Sequence, residues 1–125
     1  MGDKYKAYSI EFDHRGAYLH VTVGGAKVTP KIALAYWQEI IDECEANRFS
    51  KILLDHNFST MIDMAEMLQI IGPIGDLLKG RILAFFDRHG NNDIPEAGKM
   101  ILRSHDMKVQ IFDNLKDAER WLLAN

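Results

Sequence analysis

Acidic residues and histidines follow the apolar runs of this sequence at points where they could do chemistry together. Imidazole and carboxylate groups bind divalent metals and exchange protons near neutral pH. If the runs are neighbouring parallel strands, their carboxyl ends meet at one edge of the sheet, where α/β proteins bind ligands. The alternative is that these side chains only solvate the ends of buried strands. The residues are Asp55, His56, Asp87, Arg88, His89 and Asp113.

Other catalytic motifs are absent from the sequence. There is no Gly-x-Ser-x-Gly elbow, no glycine-rich phosphate loop and no local signature that pairs the cysteine with a histidine. The sequence therefore predicts no catalytic residue, no cofactor and no metal ion. An enzyme or metal site at the strand ends is the least favoured of three functional hypotheses.

The composition limits the class of protein. A chain of 125 residues, 47% hydrophobic and 26% charged, can build one core, and we predict a single domain over 1–125. A net charge of −3 without a basic cluster argues against nucleic-acid binding. The apolar stretches are far shorter than the roughly 20 residues that span a bilayer. One cysteine and no signal-peptide pattern predict a cytoplasmic protein.

Local patterns predict the element order β-β-α-β-α-β-α-β-α, which is an α/β fold. In the stretch from Lys51 to Met67, a buried strand leads through a polar turn to a helix capped by Asp63 and Glu66. Alternating strands and helices predict parallel strands in the second half, and the leading hairpin makes the sheet mixed. The other predicted strands are 8–13, 17–23, 81–87 and 108–112, and the other helices begin at Thr29-Pro30 and span 96–104 and 115–123.

The second predicted helix contains Gly72-Pro73, a combination that disfavours a regular helix. Proline removes a backbone hydrogen bond and crowds the preceding turn. We expect a kink at this point, or a separate short helix from Pro73 to Leu78 with Gly80 as its C-terminal cap. Either arrangement could open an apolar cleft between this helix and the sheet.

The element order and the end of the chain resemble a known family. The closing sequence VQIFDNLKDAERWLLAN is similar to that of the SpoIIAA-like proteins, in which a strand, Phe-Asp and a helix with Ala and Trp-Leu end the domain. This family is a branch of the STAS fold, named for sulfate transporters and anti-sigma factor antagonists. The resemblance implies a STAS-like mixed sheet flanked by helices. The matching residues are Phe112, Asp113, Ala118, Trp121 and Leu122.

The resemblance also implies a regulatory function, but without the usual switch. Anti-sigma factor antagonists carry a pattern like Ile-Asp-Ser-Ser-Gly at the second helix, and a partner kinase phosphorylates the first serine. Here the comparable run is 62–66, with Met64 in place of that serine, so this position cannot be phosphorylated. Ser59 and Thr60 are the nearest hydroxyls upstream, either phosphate acceptors or ordinary turn residues.

Two binding functions follow from these patterns. The first is a non-enzymatic regulatory module that contacts a protein partner, with a homodimer as one form of it. The alternative is a carrier of a small apolar or acidic, lipid-like ligand between the second helix and the sheet. Methionines at 61, 64 and 67 suit an adaptable binding surface, although they could equally be core. The predicted surface consists of Asn57, Phe58, Ser59, Thr60, Asp63, Met64 and Met67.

Overall fold

A computed structural model describes residues 7–60, 62–89 and 108–125. Its elements are β1 (Ser9–His14), β2 (Leu19–Gly25), α1 (Pro30–Asn47), β3 (Lys51–Phe58), α2 (Met64–Leu77), β4 (Ile82–Asp87), β5 (Lys108–Phe112) and α3 (Leu115–Ala124). The strands form one five-stranded sheet in the order β1-β2-β3-β4-β5. The first pair is antiparallel and the other three are parallel. The predicted α/β class is confirmed. The helix predicted at 96–104 lies outside the described residues.

The sheet is covered on both faces, because successive side chains of a strand point to opposite sides. Strand β3 shows this alternation directly. Leu54 belongs to a large apolar cluster with the buried side chains of α1 and α2. Leu53 belongs to a second, smaller cluster that includes Ala118 and Leu122 of α3. The sheet therefore has an α1/α2 face and an α3 face, and its central strands are buried on both.

Helix α1 begins where the sequence predicts. The Thr29 side chain accepts a hydrogen bond from the Ile32 backbone N–H at 3.2 Å, and Pro30 occupies the first turn. Arg48 ends the helix in the left-handed conformation at φ 59° and donates its backbone N–H to the Cys44 carbonyl. Cys44 is buried in the core. None of the helices in the described residues is long and apolar enough to cross a membrane.

Helix α2 shows one agreement with the sequence prediction and one difference. Asp63 and Glu66 form the predicted capping box, with the Glu66 backbone N–H donating to the Asp63 carboxylate at 2.8 Å. The separate helix predicted from Pro73 is wrong, because α2 continues through Pro73 to Leu77. Its cap is Leu78 rather than Gly80.

Tertiary packing explains why α2 tolerates proline. An internal proline costs a helix about 3 kcal/mol relative to alanine. Ile70, Ile71 and Ile74 are buried against the core, and each such side chain contributes about 1.5–3 kcal/mol. The sum of these contributions exceeds the local penalty. The position of α2 consequently depends on its contacts with the sheet more than on its intrinsic helix propensity.

Candidate functional site

The polar residues predicted at the strand ends lie near each other but on opposite faces of the sheet. Strands β3 and β4 are parallel neighbours, and His56 stands opposite Asp87 in the register. His56 contacts aromatic rings on the α1/α2 face. Asp55 precedes it in the same strand and therefore points to the α3 face. The single predicted site is thus two separate groups, and Asp113 is exposed after β5 and belongs to neither.

The group on the α3 face is a buried carboxylate held by two basic side chains. Asp55 is fully buried, and Arg88 donates from Nε and Nη2 to its two oxygens at 2.7 Å each. The His20 Nε2 lies 3.3 Å from Asp55 Oδ2. Burial alone would raise the pKa of Asp55, but the hydrogen bonds from His20 and Arg88 lower it below its usual value. The carboxylate is therefore ionised and compensated within the fold.

Two further residues border this group. His89 Nε2 lies 2.9 Å from Asn57 Oδ1 at the exposed end of the strands. His20 was not among the predicted site residues, although the alternation of β2 already placed it opposite Leu19 and Val21. His20 reaches Asp55 because β2 pairs with β3. The alternation within β2 does not predict this pairing. Within the described residues, no group of three or more His, Cys, Asp or Glu is arranged to hold a metal ion.

The group on the α1/α2 face is a buried His–Asp pair. His56 is 2% exposed and Asp87 is 1% exposed. Asp87 Oδ1 accepts the His89 backbone N–H at 2.9 Å, while Asp87 Oδ2 lies 3.7 Å from His56 Nδ1, beyond hydrogen-bond distance. Burial lowers the pKa of His56 to about 4, although Asp87 opposes the shift. The imidazole is therefore neutral at pH 7, and its Nδ1 has no hydrogen-bond partner in the described part of the chain.

A cavity of about 70 Å³ adjoins this histidine, between α1, α2 and the sheet. A cavity needs a volume of roughly 15 Å³ to hold one water molecule, and an apolar cavity of roughly 150 Å³ binds benzene. The space therefore exceeds one water but holds only part of a larger ligand unless α2 moves. The walls are mainly apolar, and they include the imidazole of His56. The lining residues are Ala33, Tyr36, Trp37, His56, Ile62, Met67, Ile70, Ile71, Ile74, Leu78, Leu83, Phe85 and Val109.

The predicted binding surface around the start of α2 is only partly a surface. Asn57, Ser59, Thr60 and Asp63 are exposed, as is Met64. Phe58 is fully buried, which corrects its assignment to this surface: β3 continues through residue 58, so its ring points into the core. The half-buried Met67 lines the cavity. Met61 lies outside the described residues.

The two groups and the cavity belong to an α/β protein with a five-stranded mixed sheet. No protein-family model matches the chain, and no curated protein is significantly similar to it. The functional assignment consequently depends on the geometry of the cavity and of the polar groups beside it.

Proposed function

We propose that this protein binds a small apolar molecule in the cavity between α1, α2 and the sheet. The observation that carries this proposal is the cavity of about 70 Å³ itself. Protein cores are close-packed and contain few voids larger than a water molecule. The side chains that line a space of this size lack part of the contacts that a close-packed core provides. A ligand that fills it recovers the missing contacts.

The movable wall of the cavity is α2. Gly72, Pro73 and Gly75 lie inside this helix, and both residue types have low helix propensity. Its buried isoleucines hold it against the sheet, and the same side chains line the cavity. A ligand can therefore displace α2 by exchanging one set of apolar contacts for another. This exchange allows a ligand larger than the cavity to enter.

Other features support a SpoIIAA-like, STAS-fold assignment, which we also propose. Phe112 and Trp121, both in the resembling segment, pack together with ring centroids 5.7 Å apart. The capping box at Asp63 lies where the family carries its phosphorylated turn. Met64 replaces the phosphoacceptor, so binding here is not controlled by phosphorylation at that position. The buried free thiol of Cys44 fits a reducing, cytoplasmic location, which is part of the same proposal.

Filling the cavity tests the proposed ligand site. Ala33 is buried on α1 and lines the cavity, so Ala33→Leu places a branched apolar side chain in the empty space. We expect unchanged or higher stability, by up to about 2 kcal/mol, because cavity filling commonly stabilises a protein. We expect at least about a tenfold loss of affinity, about 1.4 kcal/mol, for an environment-sensitive apolar dye. Dye titration measures the affinity, and native mass spectrometry reports co-purified ligand.

The matched control is Ala35→Leu, which makes the same change on the exposed side of α1. This variant should bind the dye as the parent protein does. Equal binding by the Ala33→Leu variant would show that the dye lies elsewhere. Absence of any binding by the parent protein would reject the cavity as a ligand site for this class of probe.

An exposed apolar patch at the start of α2 favours a second candidate function. Met64 is 39% exposed and Leu68 is 55% exposed, and their four-residue spacing puts them on one side of the helix. Ser59 and Thr60, which precede this helix in the sequence, are exposed as well. We propose as the second candidate that this patch contacts a protein partner, of which a second copy of the chain is the simplest form.

Self-association through this patch predicts that Leu68→Lys weakens a homodimer. A lysine cannot be desolvated at such an interface without a charged partner, so the dissociation constant should rise at least about tenfold. Sedimentation velocity over a range of concentrations measures it. Leu123→Lys is the control, because Leu123 is 56% exposed on α3. A parent protein that remains monomeric throughout would exclude the homodimer.

A further inference from the structure

We infer that the ligand is a neutral amphiphile, with an apolar body in the cavity and a hydrogen-bonding head group at His56. This inference rests on the proposed function and specifies the chemical class of its ligand. It follows from the imidazole of His56, whose Nδ1 has no hydrogen-bond partner among the described residues, in a mainly apolar wall that also includes Tyr36 and Trp37. The chemistry of that side chain and of its neighbours decides which head group fits.

The His56 imidazole lies among aromatic rings. Its centroid is 5.0 Å from that of Phe58, 5.6 Å from that of Phe85 and 6.5 Å from that of Tyr36. The contacts that these rings make with the imidazole are mainly apolar. Among the described residues, His56 Nδ1 has no hydrogen-bond partner, and the side chain is 3% exposed. A buried polar atom in this state destabilises the fold until something hydrogen-bonds to it.

A purely hydrocarbon ligand would fill the cavity but leave this nitrogen unpaired. A water molecule could hydrogen-bond to the nitrogen but would leave the apolar walls without contacts. An alcohol or amide on an apolar chain does both at once. A hydroxyl suits the position well, because it both donates and accepts.

The charges near His56 argue against an ionised head group. Asp87 is buried beside the imidazole, so a ligand carboxylate would lie near a like charge. The imidazole is neutral, since burial lowers the pKa of His56 to about 4, and it cannot compensate an anion. An ammonium group would have Asp87 as a counter-ion, but both charges would have to be desolvated in a mainly apolar cavity, and that cost can exceed their attraction. The neutral head group is the one that fits.

Four probes that differ only in their head group test this inference: hexane, 1-hexanol, hexanoate and hexylammonium. Their dissociation constants at neutral pH come from chemical-shift titrations of the parent protein. We expect 1-hexanol to bind about tenfold more tightly than hexane, and more tightly than either ion. The ring ¹⁵N resonances of His56 should shift with 1-hexanol and remain nearly unchanged with hexane.

The variant His56→Phe keeps an aromatic ring and removes both ring nitrogens. It should bind hexane and 1-hexanol with similar affinities, which would attribute the preference to the imidazole. If the variant does not fold, the probe series and the ¹⁵N resonances of the parent protein still test whether the head group hydrogen-bonds to His56. Ala35→Leu is again the control and should keep the preference for the alcohol.

The possible failures are distinguishable. Equal binding of hexane and 1-hexanol by the parent protein would overturn the amphiphile and leave the apolar cavity as the ligand site. Tightest binding of hexanoate or hexylammonium would overturn the neutral head group. No binding of any probe would reject the cavity site, and the inference with it.

Discussion

Replacing Arg88 with methionine is expected to destabilise the fold by about 3 kcal/mol, because the change leaves the buried Asp55 carboxylate without its principal partner. Asp55 is fully buried and receives two hydrogen bonds of 2.7 Å from the guanidinium. The Arg88 side chain is 45% exposed, so methionine fits the space. The loss therefore originates at the carboxylate, whose remaining side-chain partner among the described residues is His20 at 3.3 Å.

Urea unfolding at neutral pH measures this effect. The double variant Asp55→Leu/Arg88→Met should be less destabilised than Arg88→Met alone, because it also removes the uncompensated charge. Arg15→Met is the matched control. Arg15 bonds Asp13 at 2.6 Å, but both side chains are largely exposed, so its loss should change stability little. Near-parental stability of the Arg88→Met variant would show that groups other than Arg88 stabilise the negative charge of the Asp55 carboxylate.

A second large effect is expected from pH, through His56. In the unfolded chain this imidazole titrates near 6.5, whereas burial lowers its pKa to about 4 in the folded protein. Between these values the unfolded state binds more protons, so stability falls as the pH falls. At about 1.4 kcal/mol for each pH unit, this interval of about 2.5 units corresponds to a loss of roughly 3–4 kcal/mol. The contribution of His56 to the free energy of unfolding is fully present above pH 6.5 and is lost below pH 4.

Unfolding free energies measured across this pH interval isolate the contribution of His56. The variant His56→Phe lacks the titrating group, so its stability should depend less on pH than that of the parent protein. His14→Gln is the control, because it removes an imidazole that is 44% exposed, and the pH dependence should persist. Parallel curves for the parent and the His56→Phe variant would contradict a buried, neutral imidazole.

Much of the fold could be predicted from local patterns. A helix start is determined by a few adjacent residues, so the capping box of Asp63 and the Thr29-Pro30 start of α1 are both present as predicted. The alternation of strands and helices predicted parallel β3, β4 and β5. These features need no knowledge of distant contacts.

The division of the candidate site depended on where β3 ends. The sequence prediction treated Asp55 and His56 as polar residues after a strand, free to converge. Because β3 continues to Phe58, the two side chains point to opposite faces and Phe58 is buried. A longer strand would have implied this division from alternation alone. Because residues 55–57 are polar, the sequence pattern predicted that the strand ends before them, and the division between the two faces was not predicted.

The sequence by itself determined the class of fold, the helix starts and the polar residues at the strand ends, because each depends on neighbours in the chain. Only the tertiary structure decided the partners of those polar residues and the course of α2. Arg88 reaches Asp55 across 33 positions, and the pairing of β2 with β3 brings His20 to the same carboxylate. Helix α2 continues through Pro73 because its isoleucines are buried against a core that local propensity does not describe. The cavity beside His56 has the same origin: it is the space that remains where α1, α2 and the sheet pack together.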